Sequence, residues 1–240
     1  ISCIRSVFWV IIEDSNVVAG LVRPLLGHNS LYHFYRSTGG DIFDNSFTNN
    51  NIKNGLLRVN TTDESVLNTA LPSQYSMVSL VTSGDVTANS ISTDRNGSPK
   101  SWDGNIAEII IYCDSLSSEE IDSVETYLRY KYAPPVDLGP DIILTNTFCD
   151  TVLVTGDRFV DYLWSTGETT STLTALLSGL YSVTTTDVFG FTSSDTILVT
   201  YPGNFLRDTV TICEGGATAW NTGLSHSDFN FVWSPSGTDS

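Results

Sequence analysis

Apolar residues in this chain fall into short runs separated by clusters of Gly, Asn, Asp and Ser. Runs at 4–12, 17–26, 31–36, 56–60, 75–81, 86–93 and 105–113 predict strands, because each is rich in β-branched and aromatic residues. The separators at 37–40, 49–55 and 94–100 supply the conformations that turns require. Many short strands so punctuated indicate an all-β fold, a sandwich or jelly roll, rather than alternating strands and helices. One segment breaks the pattern. Ser117 followed three residues later by Glu120 is a capping box, so a helix should start there. Ile121, Val124 and Leu128 recur at helical spacing, with acids in the first turn and Arg129 and Lys131 in the last, which complements the helix dipole. Ala133-Pro134-Pro135 ends the helix and begins a stiff connection.

After Val136 the composition shifts to Thr, Ser, Val, Gly and Asp, and the strands shorten. A partial repeat appears. Tyr162-Leu163-Trp164-Ser165 recurs as Phe231-Val232-Trp233-Ser234, each preceded by a cysteine, Cys149 or Cys213, and each followed by a glycine, Gly167 or Gly237. Between the copies, Tyr181, Val183 and Thr185 alternate onto one strand face. The expected organisation is a first module at 1–133, a second at 134–202, and the truncated start of another copy of the second at 203–240. The chain opens without Met and reaches an apolar strand almost at once, so it is expected to be part of a larger polypeptide, its first module incomplete and any export signal upstream.

Charge narrows the function classes. The net charge is −16 with a pI near 4.2, whereas a nucleic-acid surface needs clustered Lys and Arg, so nucleic acid is excluded as a partner. The three modules carry −6, −7 and −3. Solubility of exposed β-modules accounts for this, and divalent-cation binding is the sharper alternative. No apolar run approaches the roughly 20 residues of a bilayer span, so no membrane insertion is expected in this segment. Cys3, Cys113, Cys149 and Cys213 lack the short paired spacings of a zinc site. Cys3 opens one strand-like run and Cys113 closes another; antiparallel pairing would make them a disulfide candidate, the alternative being two buried thiols.

Ser6-Val7-Phe8-Trp9-Val10, Asp94-Arg95, the strand Trp102-Asp103-Gly104-Asn105-Ile106-Ala107-Glu108-Ile109-Ile110-Ile111-Tyr112, Leu116-Ser117-Ser118-Glu119-Glu120 and Tyr127-Leu128-Arg129-Tyr130-Lys131-Tyr132 together resemble concanavalin A-like, laminin-G or pentraxin-type domains of bacterial surface proteins. Asp137-Leu138-Gly139-Pro140-Asp141, Tyr162 to Gly167, and Ser178-Gly179-Leu180-Tyr181-Ser182-Val183 resemble the PKD or immunoglobulin-like repeats of large adhesins that gliding bacteria export by the type 9 secretion system. The resemblance implies a jelly-roll β-sandwich with one capped C-terminal helix, followed by immunoglobulin-like β-sandwich modules. Such repeats often place a second cysteine just after an Asp-x-x-Gly turn; here Phe191 follows Asp187-Val188-Phe189-Gly190.

Glu120-Ile121-Asp122-Ser123-Val124-Glu125 matches the Glu-x-Asp-x-x-Glu pattern of retaining glycosidases on this fold, whose carboxylates must sit about 5–5.5 Å apart on a strand. On a helix, at about 100° per residue, Glu120, Asp122 and Glu125 fall near 0°, 200° and 140°, while the apolar stripe spans about 40–100°, so all three are expected to face solvent and no catalytic residue is assigned. His28, His33 and His226 show no metal-ligand spacing. Asp85, Asn89, Asp94, Asp103 and Asn105 offer loop oxygens and are the candidate ligands for Ca²⁺, as in some laminin-G-like domains; solvated turns are the alternative. Trp9, Trp102, Trp164 and Trp233 could stack on sugars but sit among apolar neighbours, as core residues do. Thr151, Thr196 and Thr209, each after an Asp and before an apolar residue, resemble O-glycosylation sites of such bacteria. Asn60-Thr61-Thr62 and Asn96-Gly97-Ser98 match the N-glycosylation sequon.

The expected role is a non-catalytic segment of a secreted or cell-surface adhesin. Its jelly roll would recognise a glycan or surface protein, and its immunoglobulin-like modules would form a stalk. Partners would be that ligand, further modules of the same polypeptide, and secretion or surface-attachment machinery; the location would be extracellular. The alternatives are carbohydrate-targeting and spacer modules of a larger exported hydrolase, or a purely structural secreted cargo module.

Overall fold

The structure is a computed structural model that describes residues 1–14, 23–31, 33–70, 73–93, 101–144 and 151–201. Over these residues the chain is mostly β, as the pattern of short runs predicts. A five-stranded sheet has the order β5-β4-β6-β1-β8, formed by Thr62–Glu64, Leu56–Val59, Ser76–Val86, Ile4–Glu13 and Gly104–Tyr112. A three-stranded sheet, β3-β2-β7, is formed by Phe34–Arg36, Arg23–Gly27 and Ser90–Ile91.

β1 explains why its sequence reads as one unbroken apolar run. Antiparallel neighbours β6 and β8 flank it, and both of its faces are buried. Val7, Trp9 and Ile11 join a core with Leu25, Leu26, Phe34, Phe43 and Ile52, while Phe8 and Val10 face a second core with Met77, Ile121 and Leu128. At the end of β1 the chain is crowded. Gly104 has φ +143°, and a side chain there would strike the Ile12 carbonyl and the Glu13 backbone, so only glycine fits at this start of β8.

The second helix, α2 (Ser118–Tyr132), follows the sequence reading closely. Ser117 Oγ accepts from the Glu120 N–H at 3.4 Å, and Glu120 Oε2 accepts from the Ser117 N–H at 2.8 Å. Ile121 and Leu128 are buried against the outer face of the five-stranded sheet, about 1.5–3 kcal/mol for each such side chain.

Other boundaries moved. The segment 49–55, read as a loop, carries a one-turn helix, α1 (Asn50–Lys53), because Asn49 Oδ1 caps it at Asn51 N–H and Ile52 is its single buried anchor. The runs at 75–81 and 86–93 are not two strands: β6 continues through Thr82-Ser83-Gly84-Asp85 to Val86, and only Ser90–Ile91 pairs separately as β7. Thr82 Oγ1 lies within hydrogen-bond reach of the Ile4, Arg5 and Gly84 carbonyls and holds the irregular register there. β5 went unread because Thr62, Asp63 and Glu64 are all exposed and carry no apolar alternation. Asn60 and Thr61, both at positive φ, form the tight turn that pairs it with β4.

Beyond Pro135 the strands are β9 (Ile142–Ile143), β10 (Thr151–Val154), β11 (Asp161–Trp164), β12 (Thr172–Ala175), β13 (Gly179–Thr186) and β14 (Thr192–Thr200). They form a four-stranded sheet, β11-β13-β14-β9, and a two-stranded sheet, β10-β12. Leu153, Trp164, Leu173, Ala175, Val183, Ile197 and Val199 form the core, and Trp164 Nε1 donates to the Thr170 carbonyl at 2.9 Å. Trp233, Cys149, Cys213, His226, Asn96 and the whole of 203–240 lie outside the described residues, as does the 17–22 part of the second expected strand.

Candidate functional site

The glycosidase-like acids lie on α2, and the helix divides them. Glu120 is spent in the capping box, and Asp122 is exposed. Glu125 corrects the sequence reading: it is 1% exposed, not turned to solvent. It stands four residues after Ile121 and three before Leu128, so it flanks the apolar stripe closely enough to be carried under the helix. There its Oε1 accepts from Ser79 Oγ of β6 at 2.7 Å, and its Oε2 lies 3.2 Å from Arg58 Nη1.

Arg58, on β4, is the centre of this cluster. Its Nη1 also reaches Asp122 at 2.6 Å, its Nε reaches Asp63 at 3.5 Å, and its Nη2 donates to the Thr61 carbonyl. Burial raises the Glu125 pKa above the usual carboxylate value; the Ser79 hydrogen bond and the Arg58 charge oppose this without cancelling it. Burial acts downward on Arg58, but Asp122, Glu125 and Asp63 outweigh it and hold the guanidinium charged. The arrangement ties α2 to β4 and β6.

A second charged cluster closes one end of the two facing sheets. Arg23 and Arg36 are cross-strand neighbours on β2 and β3, a repulsive placement. Glu13, at the end of β1, pairs with Arg36, and Asp103 lies 3.3 Å from Arg23, so each arginine has its own carboxylate. Arg23 Nη1 also donates to the Ser101 carbonyl. Glu13 is raised in pKa chiefly by burial, against the pull of Arg36. No sequence signal marked this group, since its members come from four separate segments.

The described members of the proposed cation-ligand set are not brought together in one place. Asp85 lies beside Val86, which pairs with Ile4, whereas Asn105 pairs with Ile12 at the other end of β1, eight residues or about 27 Å along the strand. Asp85 is 3.8 Å from Arg5, Asn89 Oδ1 accepts from the Asn29 N–H, and Asp103 is engaged by Arg23. Asp94 lies outside the described residues. Among the described residues no three His, Cys, Asp or Glu side chains cluster as a metal site.

Cys3 and Cys113 are joined in a disulfide with Cα atoms 4.8 Å apart, linking the entry of β1 to the exit of β8. Trp9, Trp102 and Trp164 are all buried and present no stacking face. Thr196 is exposed on β14, Thr151 is half-buried at the start of β10, and Thr209 lies outside the described residues. His33 is buried between Asn49 Nδ2, 3.1 Å from its Nδ1, and Thr87 Oγ1, 3.2 Å from its Nε2, with the His28 ring edge-on at 5.7 Å. Burial, then the neighbouring His28, lowers its pKa.

The join between the two sets of sheets was not legible at all. The turn 187–191 packs Val188, Phe189 and Phe191 into the core beneath α2, beside Ile121, Leu128 and Ala133. Asp187 Oδ1 accepts from the Phe189 and Phe191 N–H groups and shapes the turn, with Gly190 at φ +86°. Arg129 lies 3.5 Å from Asp187 and 4.2 Å over the Phe191 ring. Among the described residues no helix is long and apolar enough to cross a membrane. In comparisons with known proteins, no family model, curated protein or solved structure matches this chain.

Proposed function

We propose that this chain is a non-catalytic segment of a secreted or cell-surface adhesin. Residues 1–133 act as a jelly-roll recognition module for a glycan or surface protein, and 134–202 as an immunoglobulin-like stalk unit. The observation that carries the reading is the packed join, in which the turn 187–191 fills the core under α2 and holds one set of sheets fixed against the next. A spacer that presents a binding module needs such a junction. The facing five- and three-stranded sheets support the jelly-roll assignment, and the Cys3–Cys113 disulfide supports an oxidising, extracellular location. The absence of catalysis is supported by the acids themselves, since Glu120 caps a helix while Asp122 and Glu125 both pair with Arg58.

The test is a glycan-array screen of the chain with Ca²⁺ and with chelator, alongside a hydrolysis assay on β-glucans. Binding without turnover, unchanged in Glu120→Gln, is the expected result. Cleavage that Glu120→Gln abolishes overturns the proposal.

A further inference from the structure

The second set of sheets has two ends, and among the described residues only one is covered. At one, Val188, Phe189 and Phe191 are packed under α2. At the other, five large apolar side chains are in the open: Ile143 at 69% exposure, Leu176 at 62%, Leu177 at 73%, Leu180 at 68% and Leu198 at 39%. Three of them share one face. Leu180 and Leu198 are direct cross-strand partners on the outer face of the four-stranded sheet. Thr200, two residues on, pairs with Ile143 and so extends that face onto β9. Leu176 and Leu177 lie in the turn between β12 and β13, and the Leu177 carbonyl accepts at 2.8 Å from Oη of Tyr181, whose ring is on the core side of β13, so the turn borders that face at its end. Exposed apolar side chains gathered at one end of a unit in this way mark a place where something docks.

The exit of the chain identifies what docks there. Tyr201, directly after β14, is fastened into this same end: its N–H donates to Ser178 Oγ at 2.8 Å, and its Oη bonds the Ala175 carbonyl and the Thr151 N–H. The polypeptide therefore leaves beside Leu176 and Leu177, and its next residues include Phe205, Leu206, Val210 and Ile212. Tethering so close gives those side chains a high effective concentration at the patch without any further affinity. The sequence repeat makes 203–240 the beginning of another unit like the one whose other end is already covered. We propose that the patch of Ile143, Leu176, Leu177, Leu180 and Leu198 is the docking face for residues 203–240, so that both ends of this unit are closed by its neighbours along the chain.

The test uses the full chain with photoreactive leucine in place of leucine, as a mixture of light and heavy isotope-labelled protein, together with carbene footprinting of the ordinary protein. Leu163, 57% exposed on β11, is the internal control. Footprinting of Leu176, Leu177 and Leu180 several-fold below that of Leu163, with cross-links from them into 203–240 of the same chain, is the expected outcome. Leu180→Asp should raise the labelling of Leu176 and Leu177 while leaving Trp164 fluorescence unchanged, because Leu180 is outside the core. Labelling equal to that of Leu163 overturns the proposal, and so do cross-links that run between chains or only into 145–150.

Discussion

Replacing Arg58 with Met isolates what the charged cluster under α2 contributes. In the native chain Arg58 serves three carboxylates, but they are unequal: Asp122 and Asp63 are 61% and 76% exposed, whereas Glu125 is 1% exposed. Water screens the first two, and such pairs contribute about 0–1 kcal/mol each. Glu125 has no recourse to solvent. Losing Arg58 leaves its carboxylate buried with only Ser79 as a partner, and breaking a buried pair in this one-sided way costs about 3–5 kcal/mol. Arg58→Met is therefore expected to lower unfolding stability by that amount near neutral pH, while Asp122→Asn costs less than about 1 kcal/mol. The pH dependence has a definite sign. Glu125 is already raised above 4.5 in the folded protein, so its contribution is most favourable below that value and is lost as pH rises through the folded pKa. Without Arg58 the folded pKa rises further, so the deficit should shrink on acidification and grow toward neutrality. Adding Glu125→Gln to Arg58→Met should recover most of the loss, since the amide keeps the Ser79 hydrogen bond and removes the stranded charge. Equilibrium urea unfolding, followed by the buried tryptophans, measures all four proteins. An Arg58→Met cost no larger than that of Asp122→Asn, or a double variant less stable than Arg58→Met alone, would refute the reasoning.

Removing the Cys3–Cys113 disulfide by paired Ser substitution should destabilise the first set of sheets by about 4–5 kcal/mol, from the chain-entropy cost of releasing so long a loop, read as a shift in urea midpoint under non-reducing conditions. His33 is lowered in pKa, so it favours folding in its neutral form. Stability should be full above its unfolded value of 6.5 and decline as pH falls below it, a dependence that His33→Gln should flatten and an NMR titration of the imidazole should locate. Thr61, a β-branched residue at φ +69°, strains the β4–β5 turn; Thr61→Gly should raise the melting temperature through a net gain of about 0.5–1 kcal/mol.

What the sequence revealed was local. The α2 helix could be placed because its cap, its stripe and its proline stop lie within one segment, and β1 because burial on both faces writes an unbroken apolar run. Placement across the chain was hidden. A helical wheel gives Glu125 an angle but does not say that Arg58 and Ser79 stand opposite it, so a flanking acid looked solvated. Asp85 and Asn105 look alike as loop oxygens for the same reason, until the register puts them at opposite ends of β1. α1 was missed because its stabilising features are one Asn side chain and one buried Ile, too little for periodicity to register. The join through Phe189 required knowing which turn meets which helix, and nothing in either segment states it.

The Cys3–Cys113 bond has a mechanical consequence. Tension drawn along the polypeptide enters at residue 3 and crosses the sulfur–sulfur bridge directly to residue 113. The strands between them, β1 to β8, are left out of the line of force. At about 3.3–3.6 Å per residue, on the order of 370 Å of contour length cannot be paid out while the bridge stays oxidised. The next element to feel the pull is α2, which resists peeling through Leu128, Ile121 and the Arg58–Glu125 contact. Under load, therefore, the folded sheets on which any recognition surface rests are shielded, and the first extension comes from the helix and whatever follows it.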